Sequence, residues 1–355
     1  MQHASPLPQN PVRFDRDSRL GRLIAGAKAA RTAIVALARA IAGASRGEVV
    51  RSVVIGLLIA ATVVLARQVK ELSRSPNPAE WNFYTAEAND RLYEGPGVVS
   101  PKPARVVAHG GGALRGIART NSLEALNANY ERGHRLFEMD FCWTSDEQLA
   151  AIHDWGEYSG PTRSWFGPPT LDEFASYPTP PTTPTTLFMV YRWLEDHPDA
   201  FVVTDAKKRS LEALARIRME RPGLVHRFIV QIYQLKDYDL AVSQGFRNII
   251  LTLYRCLGGT PDETIVEFAR EHRLFAVTMS LARCRKSDLA LQLRRHGVPV
   301  YVHTVNDPGE LEEALARGAF GVYSDALGPR DVAGTEETLS SLPAVARGRS
   351  DKIIP

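Results

Sequence analysis

Cysteine is scarce in this chain and scattered, with Cys142, Cys256 and Cys284 far apart and no CxxC pair. That argues against a disulfide framework or a cysteine-held zinc cluster, and the expectation is three free thiols. No GxGxxG and no Walker-type loop occurs, so the usual dinucleotide and P-loop readings fall away. Long apolar runs are equally rare. The one exception is SVVIGLLIAATVVLA, Ser52 to Ala66, flanked by Arg51 and Arg67. Neither sign of charge dominates overall, with 43 Lys and Arg against 40 Asp and Glu, but the distribution is lopsided. Residues 1–74 carry +8, which leaves −5 of the total +3 for the rest. A basic tail on a mildly acidic body is not the footprint of a nucleic-acid-binding protein.

The apolar run is short for a bilayer span, which takes about 20 residues. Val49 and Val50 lengthen it, and the flanking arginines can snorkel to the interface. The reading is a basic cytoplasmic tail over 1–48, then a transmembrane signal-anchor helix over 49–67. The positive residues preceding it hold the tail inside, giving a single-pass protein with an extracytoplasmic C-terminal domain. Val64-Leu65-Ala66 also suits signal cleavage, so a removed signal peptide is the competing reading. The Ala-rich, basic stretch 20–44 fits an interfacial helix on anionic lipid. Residues 68–103, with five prolines from Pro76 to Pro103, read as a linker, and 331–355 as a tail.

Between 104 and 330, short apolar runs alternate with helical patterns, the signature of βαβ units around a parallel sheet. Nine candidate strands begin with Arg105–His109, Leu136–Phe141 and Leu149–His153 and end with Val300–Val305 and Gly321–Ser324. Nine candidates for eight places mean that one pair forms a local hairpin or that one of the nine is not a strand. Polar residues decide between an open sheet and a closed barrel. His109, Glu138, Asp140, His153, Asp205, Gln231 and His303 all fall at or just past the C-terminal ends of apolar runs. Such a spread of polar groups belongs to the rim of a (β/α)8 TIM barrel, whereas an open sheet gathers them at one switch point.

Glu138 and Asp140 stand two apart on one strand and so share a face. A third carboxylate, Asp205, ends another strand. Three acids converging on one mouth repel unless a cation sits among them. An all-oxygen set suits one divalent cation, Ca²⁺ or Mg²⁺, rather than zinc. His109 and His153 bracket the acidic pair as candidate general acid and base, the roles open between them. Lys207 is a cation placed to meet an anionic oxygen. Together these groups describe phosphoryl transfer better than acyl or hydride chemistry.

At these residues the chain resembles the glycerophosphodiester phosphodiesterase family. The likeness runs through Ala108-His109-Gly110-Gly111-Gly112, Thr120-Asn121-Ser122, Phe137-Glu138-Met139-Asp140 and Ile152-His153-Asp154. It continues in Asp205-Ala206-Lys207, His303-Thr304-Val305-Asn306 and Gly321-Val322-Tyr323-Ser324-Asp325. The resemblance implies Glu138, Asp140 and Asp205 as metal ligands and His109 and His153 as the acid–base pair. It places Lys207, Asn121, Gln231, His303 and Asn306 around the substrate. It implies hydrolysis of glycerophosphodiesters, or of lysophospholipid-like diesters, to an alcohol and glycerol phosphate. A phospholipase-like enzyme or a lyase stopping at a cyclic phosphate is the alternative, and a non-catalytic phosphate-binding domain the second. Three departures bear on fit: Gly110 stands for the family's Arg, Asp205 for Glu and His303 for Trp. In the segment after His153, Trp155, Trp165 and Phe166 either stack on substrate or pack a loop, and the Pro/Thr-rich run 178–186 reads as irregular surface loop.

Overall fold

Residues two apart along each central strand point into one closed ring, and that parity organises the molecule. The computed structural model describes residues 84–95, 97–160, 167–255 and 259–333, all within the unit Trp81–Pro355. In chain order the strands are β1 (Val106–Ala108), β2 (Leu136–Trp143), β3 (Leu149–Ala151), β4 (Thr185–Thr186) and β5 (Phe201–Asp205). They continue as β6 (Phe228–Ile232), β7 (Ile249–Thr252), β8 (Ala276–Ser280), β9 (Val300–His303) and β10 (Gly321–Ser324). Parallel pairing runs β1-β10-β9-β8-β7-β6-β5-β2, and a β1–β2 bridge closes the ring into an eight-stranded barrel. The ninth expected strand is the hairpin: β3 pairs antiparallel with the far end of β2.

Both faces of the barrel are buried, so its strands are nearly continuous in hydrophobicity. Ala108, Phe137, Met139, Val202, Val230 and Val302 point outward and pack under the helices. Phe137, fully buried, meets the Trp193 ring edge-on at 5.2 Å, a pairing worth about 0.5–1.5 kcal/mol beyond its area. Val107, Leu136, Phe201, Val203, Ile229, Ile250 and Tyr301 point inward and plug the barrel. The same inward parity, carried toward the strand ends, turns polar at Glu138, Asp140, Asp205, Gln231 and His303. The plug and the site are thus successive layers of one interior.

Helices lie between the strands as the periodicity predicts, including Leu123–Glu131, Leu187–Asp196, Ser210–Glu220, Asp262–Glu271 and Pro308–Ala316. Ser122, Thr186 and Asp307 cap three of them by accepting from first-turn amides, the usual treatment of orphan N–H groups. Gly133, Gly297 and Gly318 follow helix ends with φ of 99°, 75° and 98°, the left-handed stop that glycine takes without strain.

Two stretches hold more structure than their composition announces. Within the Pro/Thr-rich run, Thr185 and Thr186 form β4 against β3, correcting the expectation of wholly irregular loop. Within the expected linker, Ala86–Asp90 is helical and docks under the barrel. Asn89 Nδ2 donates to the Ser243 carbonyl at 3.1 Å, the Arg247 amide donates to Tyr93 Oη at 2.9 Å, and the Arg218 guanidinium covers the Tyr84 ring at 3.8 Å. Among the described residues no helix is long and apolar enough to cross a membrane. The expected tail and anchor over 1–67, and most of 331–355, lie outside the described residues, as do Cys256, Trp165 and Phe166. Cys142 and Cys284 are free thiols.

Candidate active site

β2 and β5 pair in a register that sets Asp140 beside Asp205 and Glu138 beside Val203. The three carboxylates are all buried, and one oxygen from each lies within 4.8 Å of the others. Burial and then the neighbouring Asp140 charge push the Glu138 carboxyl up to about 8. Each acid is also gripped from outside the cluster. The Gly110 amide donates to Glu138 Oε2 at 2.7 Å, and Asn121 Nδ2 donates to Asp140 Oδ2 at 3.0 Å. Tyr233 and Tyr254 both donate to Asp205, Tyr254 at 2.8 Å. Lys207 Nζ bridges Asp140 Oδ1 at 2.7 Å and Asp205 Oδ2 at 3.5 Å. Burial alone pulls the Lys207 ammonium down, but the surrounding carboxylates outweigh it and leave it raised.

His109 ends β1 in a tight turn. Its Nδ1 lies 2.8 Å from Asp325 Oδ1, and its Nε2 lies 4.0 Å from Glu138 Oε2. A carboxylate can only accept, so the neutral ring carries its proton on Nδ1 and leaves the Nε2 lone pair for the cavity. Burial opposes protonation of His109, but the Asp325 hydrogen bond and the nearby acids win, and its pKa is raised. His153 stands across the opening beyond β3, with Nδ1 at 3.1 Å from Asp154 Oδ2 and 3.4 Å from Glu157 Oε1.

These groups open on one cavity of about 240 Å³ whose lining includes His109, Glu138, His153, Asp205, Lys207, Gln231 and His303. Gln231 accepts from the Thr252 hydroxyl at the floor. His303 packs edge-on against Tyr254 at 4.7 Å, its Nε2 is buried without a partner, and burial holds its pKa down at about 4. A neutral imidazole therefore lines the wall.

Two residues expected at the substrate are turned elsewhere. Asn121 is 1% exposed and gives both ends of its amide to Asp140, its Oδ1 accepting from the Asp140 amide at 2.9 Å. Asn306 Nδ2 donates to Asp325 Oδ2 at 2.8 Å while its Oδ1 accepts from Ser324 and the Asp325 amide. Both orient residues of the site, because a short amide rooted in a turn is saturated by the nearest backbone and carboxylate. Trp155 packs as well: its indole donates to the Trp143 carbonyl at 2.9 Å and its ring meets Phe174 at 5.7 Å.

Sequence reasoning missed Tyr233, Tyr254 and Arg119. The tyrosines carry a usable signal, since each sits two residues past an inward position, Gln231 or Thr252, and so keeps the inward parity. Arg119 sits in an irregular loop with no period to betray it.

No known family profile and no curated protein matches the sequence. Solved structures do match. A glycerophosphodiester phosphodiesterase from Parabacteroides distasonis is 18% identical, with 67% of this chain and 98% of that one covered, at a TM-score of 0.53. A candidate enzyme of the same kind from Galdieria sulphuraria is 16% identical over 66% and 98%, also at 0.53. Another, from Agrobacterium tumefaciens, is 16% identical over 68% and 100%, at 0.52. At such identity the likeness is one of architecture: this chain has the (β/α)8 barrel fold of the glycerophosphodiester phosphodiesterase structures.

Proposed function

We propose that the barrel mouth hydrolyses glycerophosphodiesters to an alcohol and glycerol phosphate, with one divalent cation held by Glu138, Asp140 and Asp205. The observation that carries this reading is the trio itself, three buried carboxylates with oxygens within 4.8 Å of one another, opening on His109 and Lys207. Three buried carboxylates at that spacing cannot all ionise without a compensating charge, and Lys207 offsets only one of them. The donors are all oxygen, which fits Mg²⁺ or Ca²⁺. When bound, such a cation supplies Lewis-acid polarisation of a phosphoryl oxygen.

The chain's own groups supply the rest. Asp325 orients His109 so that Nε2 can take a proton from the substrate's neighbouring hydroxyl as it attacks phosphorus and the alcohol leaves, and water then opens the resulting cyclic phosphate to glycerol phosphate. His153, half-exposed at the rim and oriented by Asp154, is placed to return a proton to the departing alcohol. Lys207 fixes the Asp140 and Asp205 carboxylates. A cavity of this size with a polar floor suits a small polyol phosphate. We propose further that 49–67 anchors the chain in a membrane with the barrel on the outer side. The support for this is the basic sequence preceding the apolar run.

Replacing each histidine tests the assignment. His109→Ala and His153→Ala are expected to lower turnover of a natural diester at least 10²-fold. A nitrophenyl diester, whose leaving group needs no acid, should rescue His153→Ala and not His109→Ala. Near-normal turnover by both variants on the natural diester would sink the reading.

A further inference from the structure

Among the described residues, two permanently charged cations, Lys207 and Arg119, line the cavity, and they are held very differently. Lys207 is bound down between Asp140 and Asp205 at 2.7 and 3.5 Å. Arg119 arrives from the loop between β1 and the helix Leu123–Glu131 and lines the same opening. Its guanidinium meets Glu157 at 3.6 Å, with the two side chains 41% and 40% exposed. An ion pair so open to water is weak and exchanges readily. Glu157 also faces His153 Nδ1 at 3.4 Å, so it keeps a partner if Arg119 leaves.

The backbone around Arg119 is built to hold it there. Its φ is 52°, a left-handed conformation that a residue with a side chain adopts only under constraint. The constraints are visible on both sides. The Arg119 carbonyl accepts from Asn121 Nδ2 at 3.4 Å, and the Asn121 amide donates to the Gly110 carbonyl at 3.0 Å. Asn121 in turn grips Asp140. The position of Arg119 is therefore tied to one of the three clustered acids. Gly110 completes the arrangement, because a Cβ there would lie 2.5 Å from Arg119 Cα. Position 110 stays bare so that the loop carrying Arg119 can pass against it.

We infer that Arg119 takes the phosphate of the substrate, exchanging Glu157 for two phosphoryl oxygens, an assignment that rests on the reaction proposed above. A guanidinium presents a planar fork of N–H donors that matches two phosphoryl oxygens, which a lysine cannot reproduce. The side chain absent at Gly110 is thus replaced in space by one from nine residues further on.

The test uses the full chain with Mg²⁺ or Ca²⁺, glycerophosphocholine as substrate and sn-glycerol 3-phosphate as the binding probe. Arg119→Ala should raise KM and weaken the calorimetric affinity for sn-glycerol 3-phosphate by the same factor, roughly 10- to 100-fold for a lost charge-assisted pair. kcat should change far less, and ligand-free melting should not move. Arg119→Lys should fall between the two, since it keeps the charge and loses the fork. If the wild type turns over while Arg119→Ala stays within about twofold of it in KM and affinity, far short of a lost charge-assisted bond, this assignment fails alone. A wild type that neither hydrolyses the diester nor binds the probe overturns the proposed reaction and this assignment together.

Discussion

Glu138→Gln should have opposite effects on stability with and without metal, and the structure sets the scale. Glu138 is 2% exposed, and burial with the Asp140 charge lifts its carboxyl from 4.5 to about 8. A raised folded-state value means the folded protein holds this proton longer than the unfolded chain does. The Glu138 contribution to the stability of the metal-free protein is therefore fully present below pH 4.5 and is lost as pH rises from there through 8. The span from 4.5 to neutrality corresponds to about 3 kcal/mol at roughly 1.4 kcal/mol per unit. Glutamine cannot ionise, keeps an acceptor for the Gly110 amide and has nearly the same shape. In excess chelator at pH 7 the variant should melt above the wild type by roughly 6–12 °C, at about 2–4 °C per kcal/mol. Added Mg²⁺ or Ca²⁺ should reverse the order. A free cation at about 1,000 times Kd stabilises the wild type by about 4.1 kcal/mol, more than that deficit, and the variant, lacking one anionic ligand, should gain little. Scanning calorimetry with and without chelator reads both arms. A variant less stable than the wild type in chelator, or one that gains as much from the cation, would rule out a buried, metal-binding Glu138 carboxyl.

Asp325→Ala removes the acceptor that holds His109 Nδ1 at 2.8 Å, so kcat should fall roughly 10²-fold with KM little altered; steady-state kinetics checks it. Asn306→Ala, one step further out, should lose less. Burial, then Arg132, holds His134 down at about 4, so the unfolded chain takes the proton first and stability is lost as pH falls from 6.5 to 4. The loss is about 3 kcal/mol, and His134→Gln should flatten it in denaturant titrations at a series of pH values. Gly110→Ala puts a Cβ 2.5 Å from Arg119 Cα at a φ of 55°, which should lower stability by roughly 1–3 kcal/mol and weaken substrate binding as well.

The barrel was legible because its strands keep one parity from the apolar plug to the polar rim. Leu136, Glu138 and Asp140 alone announce an inward face, and Asp205 repeats it on the neighbouring strand. The same logic, pressed two residues further, reaches Tyr233 and Tyr254. Loops obey no such period. Asn121 and Asn306 carried the right motif but not their partners, because which carboxylate a turn amide reaches depends on the fold around it. Arg119 was invisible for the same reason. The docked segment around Ala86–Asp90 was hidden by the prolines flanking it, and its attachment rests on long-range contacts to Ser243 and Arg247 that no local pattern encodes.

The proposed reaction at this mouth, with a divalent cation, opens a glycerophosphodiester to glycerol phosphate. Phosphorus NMR of the full chain acting on glycerophosphocholine follows diester, cyclic phosphate and glycerol phosphate in one sample. The diester signal should give way to glycerol phosphate with Mg²⁺ or Ca²⁺ present, and excess chelator or Glu138→Gln should stop it. Accumulation of the cyclic phosphate as final product, or undiminished hydrolysis in chelator, would contradict it.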